Sequence, residues 1–476
     1  MTSINSRIIT NASYLFISDI FVKLFTAVAT IFVVRYLGST KYGFLGVALA
    51  FSAITGYFTD LGITQTLIRE GTKPNPDIPH LVGGALKLRL ILAIIASIIN
   101  IVLILLLYKD VLIRNVTLLI SIPTIWGVSL QGLGTAYFQV IQEMKYSAVI
   151  RCVSGLVTAS TLSFAVIFHW PLIHLAVAYG LSSLIGGMLS LHLVRKRVPI
   201  LGGWHPGILN GLWAFTIGGF LVLALPQLGP LILQRVANMQ EVGIFSAAYR
   251  LPTALYAIPG IIASAFYPQL FNYGVVDSQK HFQLSVRELK YMGILGLCLA
   301  LPMALYAEWI VHALFGAKWD GTTTAQTLSI LAWLIAFQGI NYPLADALTT
   351  QGLQSCRIAT LGISICTGIT LYFLLGSHYG ATGAAFAAIT IEASLLIGYT
   401  LANPQGKVLL FQGIIHPFIK YLPTFFCIGL LKCLAPIPMV GACLTPITFA
   451  GGLYLTDSDI RNQVLRLIRK FTLGKP

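Results

Sequence analysis

Asp19 and Lys23 stand four residues apart inside the first long apolar run of the chain, so they share one helical face. That spacing supports two readings: an ion pair within the helix that hides both charges, or a cation aimed into a cavity and oriented by Asp19. Arg250 lies in a later apolar run with no carboxylate three or four residues away, which favours a cavity role. Asp60, Asp346 and Glu392 also fall in apolar surroundings. Asp60 and Asp346 sit toward span ends, where solvation or capping competes with function; Glu392 is mid-span, as a counter-charge or a protonatable coupling group would be. Facing lipid, each charge would cost about 2.5–3.5 kcal/mol or more, so each needs a partner or water. Neutral amides accompany them at Gln131, Gln338 and Asn341, next to Tyr342. Amides both donate and accept, which suits sugar hydroxyls as well as bonds between helices.

Other chemistry is missing from the sequence. It contains no G-x-x-x-x-G-K-[ST], no H-E-x-x-H and no G-x-S-x-G, and its seven cysteines show no C-x-x-C. The expectation is a non-enzyme without ATPase machinery, metal, cofactor or disulfide, its thiols serving as small buried hydrophobes.

The elements that must position these groups are membrane helices. Of 476 residues, 57% are hydrophobic and 9% charged, and mean hydropathy is +0.83. An ordinary soluble domain carries roughly 25% charged residues. The apolar runs are long and unalternating, which excludes barrel strands. At roughly 20 residues per crossing, the chain reads as an all-α polytopic membrane protein of about fourteen spans. The first run is too long and too charged for a cleavable signal peptide. Most of the 30 Lys and Arg residues fall in the even-numbered loops and at the two ends, which places both termini in the cytoplasm. The net charge of +15 is therefore topological, and no nucleic-acid partner is expected.

A weak internal repeat runs through the sequence. Arg35 and Gly43 are spaced as Arg235 and Gly243 are, and W-x-x-x-x-Q-G occurs at Trp126–Gly132 and Trp333–Gly339. The offset is about 200 residues, or six helices, which implies two parallel copies about an axis along the membrane normal. The expected organisation is a six-helix lobe over 1–198, a cytoplasmic linker over 199–207, a second six-helix lobe over 208–402, two added spans over 403–456, and a cytoplasmic tail over 457–476. In the tail, Ile460, Val464, Leu467, Ile468 and Phe471 share a face among basic residues, as in a helix lying on the inner leaflet. Prolines crowd the seventh and eighth spans at Pro226, Pro230, Pro252 and Pro259, where bending is expected.

Several segments are similar to one family. They are N-A-S-Y-L-F-I-S-D-I-F-V-K-L-F at 11–25, V-V-R-Y-L-G-S-T-K-Y-G-F-L-G-V-A at 33–48, T-D-L-G-I-T-Q-T-L-I-R-E at 59–70, Q-E-M-K-Y-S-A-V-I-R at 142–151, E-V-G-I-F-S-A-A-Y-R-L-P at 241–252 and F-Y-P-Q-L at 266–270. The chain resembles the Wzx-type polysaccharide flippases of the multidrug/oligosaccharidyl-lipid/polysaccharide exporter superfamily. The resemblance implies two six-helix lobes around a cationic cavity. It implies transfer of a polyprenyl-diphosphate-linked oligosaccharide to the outer leaflet by alternating access, in the cytoplasmic (inner) membrane of a bacterium. Polysaccharide polymerase and glycosyltransferases of the same pathway would be partners. Lys23 and Arg250 are the cavity cations assigned on this basis, one per lobe. The alternative within the superfamily is a proton- or sodium-coupled drug antiporter, which calls for an acidic cavity instead.

Overall fold

The computed structural model describes the backbone of residues 2–200, 203–209, 212–434, 437–462 and 465. These residues are helical with no strand, and they divide into two compact units, Met1–Ala247 and Ala248–Pro476. The first unit contains α1 (Thr2–Tyr57), α2 (Ile63–Gly71), α3 (Ile78–Leu107), α4 (Val111–Val140), α5 (Met144–Ile167), α6 (Leu172–Arg195), α7 (Leu212–Ala224) and α8 (Leu228–Val236). Helix α9 (Met239–Leu255) runs from the first unit into the second. The second unit continues with α10 (Ala257–Val276), α11 (Ser278–Leu305), α12 (Ala307–Phe315), α13 (Thr324–Leu331), α14 (Trp333–Thr350), α15 (Gln354–Ala402), α16 (Gly406–Leu410), α17 (His416–Leu434) and α18 (Pro438–Thr456). The tail read as a basic amphipathic helix lies mostly outside the described residues.

Eleven helices among the described residues are long and apolar enough to cross a membrane. Two of them are double. Helix α1 bends at Gly38 (φ 71°) and α15 at Gly380 (φ 57°), backbone conformations that only glycine takes without strain. The proline-rich spans break where the sequence predicts. A short 3₁₀ turn at Leu225–Gln227 separates α7 from α8, and Tyr256 separates α9 from α10. Two helices start well before their apolar runs. Asp77 caps α3 by accepting from the His80 amide at 3.3 Å, and Asp277 caps α11 by accepting from the Gln279 and Lys280 amides at 3.1 and 3.0 Å. These caps carry Arg89 and Glu288 inside helices.

Lipid explains the outer surface. Helix α3 exposes Ile91, Ile94, Ile95, Ile98, Ile99, Val102 and Leu106, a stripe no water-facing helix could sustain. Inside the first unit the helices approach through small residues. Ser183 on α6 donates to the Pro123 carbonyl of α4 at 3.1 Å, and Ser190 donates to the Leu130 carbonyl at 2.7 Å.

The repeat glycines find a physical reason here. A Cβ on Gly43 would strike the Met239 carbonyl, and one on Gly243 would strike the Ser39 carbonyl. The contact is reciprocal, as expected where two copies of one motif cross, and backbone cannot yield as a side chain can. Gly43→Val and Gly243→Val should each cost about 3 kcal/mol or more. The check is folded yield and melting temperature of each purified variant; melting within a degree or two of wild type would contradict the crossing.

At the far end of the second unit, Asp457 joins three elements. Its carboxylate accepts from Lys290 of α11 and from the Tyr421 hydroxyl of α17, both at 2.7 Å, and caps the amides of Asp459 and Ile460. Burial pushes this carboxyl up, but Lys290 and Tyr421 together bring it below its ordinary value. Its stabilising contribution is therefore present above the ordinary carboxylate range and lost as pH falls through the depressed value. Wild type should lose about 1–3 kcal/mol more than Asp457→Asn on acidification from about pH 6 to about pH 3. Equal acid sensitivity of the two melting temperatures would refute this.

Candidate functional site

The first unit holds a cleft of about 380 Å3 lined by Asp19, Thr26, Gln131, Arg151, Ser154 and Thr158. Helices α1, α4 and α5 supply these side chains. Asp19 is the hinge of its electrostatics. It accepts from Arg151 at 2.9 Å and meets Lys23 at 3.6 Å. Two cations thus share one carboxylate, Arg151 within the cleft lining and Lys23 beside it, so the excess positive charge is the one that Lys23 brings to the rim. The predicted Asp19–Lys23 pair forms, yet it hides neither charge: the Lys23 side chain is 55% exposed and that of Asp19 45%. Exposed pairs of this kind are worth about 0–1 kcal/mol. An incoming anion can therefore recruit these cations at little expense.

Arg151 is the residue that sequence reasoning missed. Its position near the start of a span made it read as part of the cytoplasmic positive charge. The available signal was its place two turns inside α5, at the end of the Q-E-M-K-Y-S-A-V-I-R segment.

Gln131 and Gln338, the repeat counterparts, do matching work in their own units. Gln131 donates to the Ser183 carbonyl at 2.9 Å, tying α4 to α6. Gln338 donates to the Glu392 carboxylate at 3.0 Å, tying α14 to α15. The glycine after each permits a close approach: a Cβ on Gly132 would meet the Arg89 guanidinium, and one on Gly339 the Met292 carbonyl. The repeated Q-G is thus a packing device whose glutamine is free to vary in partner.

Glu392 is almost fully buried and is brought together with two other sequence candidates. Asn341 donates to Glu392 Oε2 at 2.7 Å and to its backbone carbonyl at 2.9 Å, completing a two-amide clamp with Gln338. Tyr249, Tyr256, Tyr372 and Tyr399 lie within electrostatic reach of the same carboxylate. Arg250 is exposed on α9, beside Tyr249.

The remaining candidates are placed differently. Asp60 accepts from the Thr64 amide and hydroxyl at 3.1 and 2.6 Å and from Arg89, a guanidinium 1% exposed. Arg89 also donates to Thr64 at 2.7 Å and to the Ser129 carbonyl at 3.1 Å, so this charge pair is spent on joining α2, α3 and α4. Asp346 lies buried on α14, close enough to the buried Glu288 of α11 for the two carboxyls to interact.

The fold is shared with solved polytopic membrane proteins. The chain superposes on an inward-closed structure of the lipid II flippase MurJ with a TM-score of 0.69 at 14% identity, covering 92% of this chain and 98% of that one. An inward-facing multidrug resistance MATE family transporter of the MOP superfamily gives 0.68 at 13% identity, with 81% and 95% covered. A MATE structure in complex with Br-NRF is more distant, at 0.54 and 13% identity over 85% of this chain and 96% of that one. No curated protein matches the chain. Residues 8–273 match the family described as polysaccharide biosynthesis protein. This spans more than half of the sequence, and the chain belongs to that family.

Proposed function

We propose that the protein is a flippase that moves a polyprenyl-diphosphate-linked oligosaccharide from the cytoplasmic to the outer leaflet by alternating access, for cell-surface polysaccharide synthesis. The observation that carries this reading is the polar, net-positive cleft of the first unit in a member of the polysaccharide biosynthesis family. A diphosphate needs charge-assisted donors to leave water, which Lys23 and Arg151 offer. Gln131, Ser154, Thr26 and Thr158 offer donors and acceptors to sugar hydroxyls. Arg250, on the second unit, is the other cation assigned to the substrate by the family resemblance, and the polyprenyl chain stays in lipid. If both diphosphate charges cross an inside-negative membrane, the potential contributes about 2.3 kcal/mol per charge per 100 mV. The topology that serves this function has fourteen spans, lobes over 1–198 and 208–402 and both termini in the cytoplasm. The membrane is the cytoplasmic membrane of a bacterium, shared with the polymerase and glycosyltransferases of the pathway.

The test is reconstitution of the full chain into liposomes with a labelled diphosphate-linked oligosaccharide. Wild type should translocate it, and Lys23→Ala and Arg250→Ala should each slow translocation about tenfold or more. Wild-type rates in both variants would remove these residues from the site.

A further inference from the structure

The second unit buries a line of polar groups that the cleft chemistry does not use. On α11, His281, Ser285 and Glu288 follow one another at helical spacing, each at most 1% exposed. On the facing α14, Asp346 and Thr350 stand one turn apart and are also buried, at 3% and 4% exposed. Both carboxylate oxygens of Glu288, Oδ2 of Asp346 and the Ser285 hydroxyl have no hydrogen-bond partner among the described residues. A fully buried, unpartnered carboxylate beside a second carboxyl is among the most costly arrangements a protein can hold, because neither solvent nor donor offsets its charge. A bound proton removes that cost.

The line also opens to the surface. A cavity of about 150 Å3, roomy enough for several waters, is lined by His281 with Ser278, Gln351, Asn403 and Gln405. His281 Nε2 lies 2.7 Å from the Thr350 hydroxyl, which itself donates to the Asp346 carbonyl at 2.8 Å. Thr350 therefore accepts from His281, whose proton sits on Nε2. Nδ1 is left to accept from the Gln351 amide at 3.3 Å, on the cavity side. A proton donor and acceptor thus stands at the cavity end of the line, bonded through Thr350 to the Asp346 main-chain carbonyl and one helical turn from Ser285 and two from Glu288 on α11.

Among the described residues around the seam, Arg357 is the cation within electrostatic reach of Asp346. Helix α14 adds Tyr342, α10 adds Tyr267, and α9–α10 adds Tyr256. Arg357 of α15 lies within electrostatic reach of Asp346 while donating to Thr349 at 2.8 Å. On α11 itself Arg287 is exposed, and Lys290 is held by Asp457 and Asp459. Helix α12 and the α16–α17 stretch bring Glu308, His312, Lys407, His416, Lys420 and Lys432, all exposed; Lys280 of α11 pairs with Asp277, Glu392 of α15 is clamped by Gln338 and Asn341, and α13 and α18 bring no charged group.

We propose that the α11–α14 seam is a proton-binding site, filled from the His281 cavity, in which Glu288 holds the proton beside Asp346. Exchange of that proton as the helices part would couple a proton gradient to transport. That use rests on the transporter reading, whereas the site itself does not. The experiment is infrared spectroscopy of the full chain in lipid. At about pH 7 wild type should show a buried carboxylic-acid band that Glu288→Gln abolishes and Asp346→Asn shifts. His281→Ala should keep the band but slow its hydrogen–deuterium exchange about tenfold. Where Glu288→Gln fails to fold, the Asp346→Asn shift decides. A wild type without a carboxylic-acid band, or a band unchanged in both carboxyl variants, overturns the site. A band that behaves as expected in a protein that moves no lipid-linked sugar keeps the site and overturns the function.

Discussion

Arg89→Met should destabilise the first unit by about 3 kcal/mol, because it strands Asp60 and empties the space that Gly132 leaves for the guanidinium. Arg89 is buried, and it donates to Asp60, Thr64 and the Ser129 carbonyl. Asp60→Asn should cost less, since its side chain is 21% exposed and water can reach it. Combining the two should recover part of the loss, a coupling that a double-mutant cycle of melting temperatures reads directly. Additive losses would mean that the pair is not the joint between α2, α3 and α4.

The cleft makes a prediction of opposite signs. Arg151→Ala removes one of the two cations that Asp19 shares and leaves the cleft without excess positive charge. It should weaken binding of a diphosphate-linked oligosaccharide by about 10–100-fold, the worth of one charge-assisted hydrogen bond set. Asp19→Asn keeps the shape of the cleft and releases both cations, so binding should tighten by several-fold to about tenfold. Tight binding slows release, so translocation by Asp19→Asn should fall even as affinity rises. Equilibrium binding of the labelled substrate to purified variants, measured beside translocation, separates the two effects. A weaker-binding Asp19→Asn would assign Asp19 to the ligand itself.

Much of this fold is legible in the sequence because hydropathy reports burial in lipid, and glycine reports close approach. The apolar runs mark the helices, Gly43 and Gly243 mark a backbone crossing, and the prolines around 226–259 mark the broken helices. What the sequence conceals is the polar end of a helix. The third and ninth spans read as starting at their apolar residues, 88 and 290, whereas α3 begins at Ile78 and α11 at Ser278. Caps at Asp77 and Asp277 extend both helices through polar stretches that hydropathy reads as loop. Glu288 was hidden for that reason, since a charge in a loop asks for no partner, and Arg89, at the first turn of its read span, was counted with the cytoplasmic charge. Arg151 was hidden by the positive-inside count, which treats every cation near a span end alike. Among the site candidates, the sequence singles out Gln338, Asn341 and Glu392 separately, and the structure joins them. Three-dimensional meeting of α14 with α15 has no signature in one sequence beyond the repeated Q-G.

The most direct measurement sets two cargoes side by side in the same liposomes: a labelled polyprenyl-diphosphate oligosaccharide and a labelled cationic drug. A chain whose cleft carries excess positive charge should move the anionic lipid at a rate that collapses in a Lys23→Ala/Arg151→Ala variant, and should leave the drug where it is. Movement of the drug, with the lipid left behind, would contradict the account at its root.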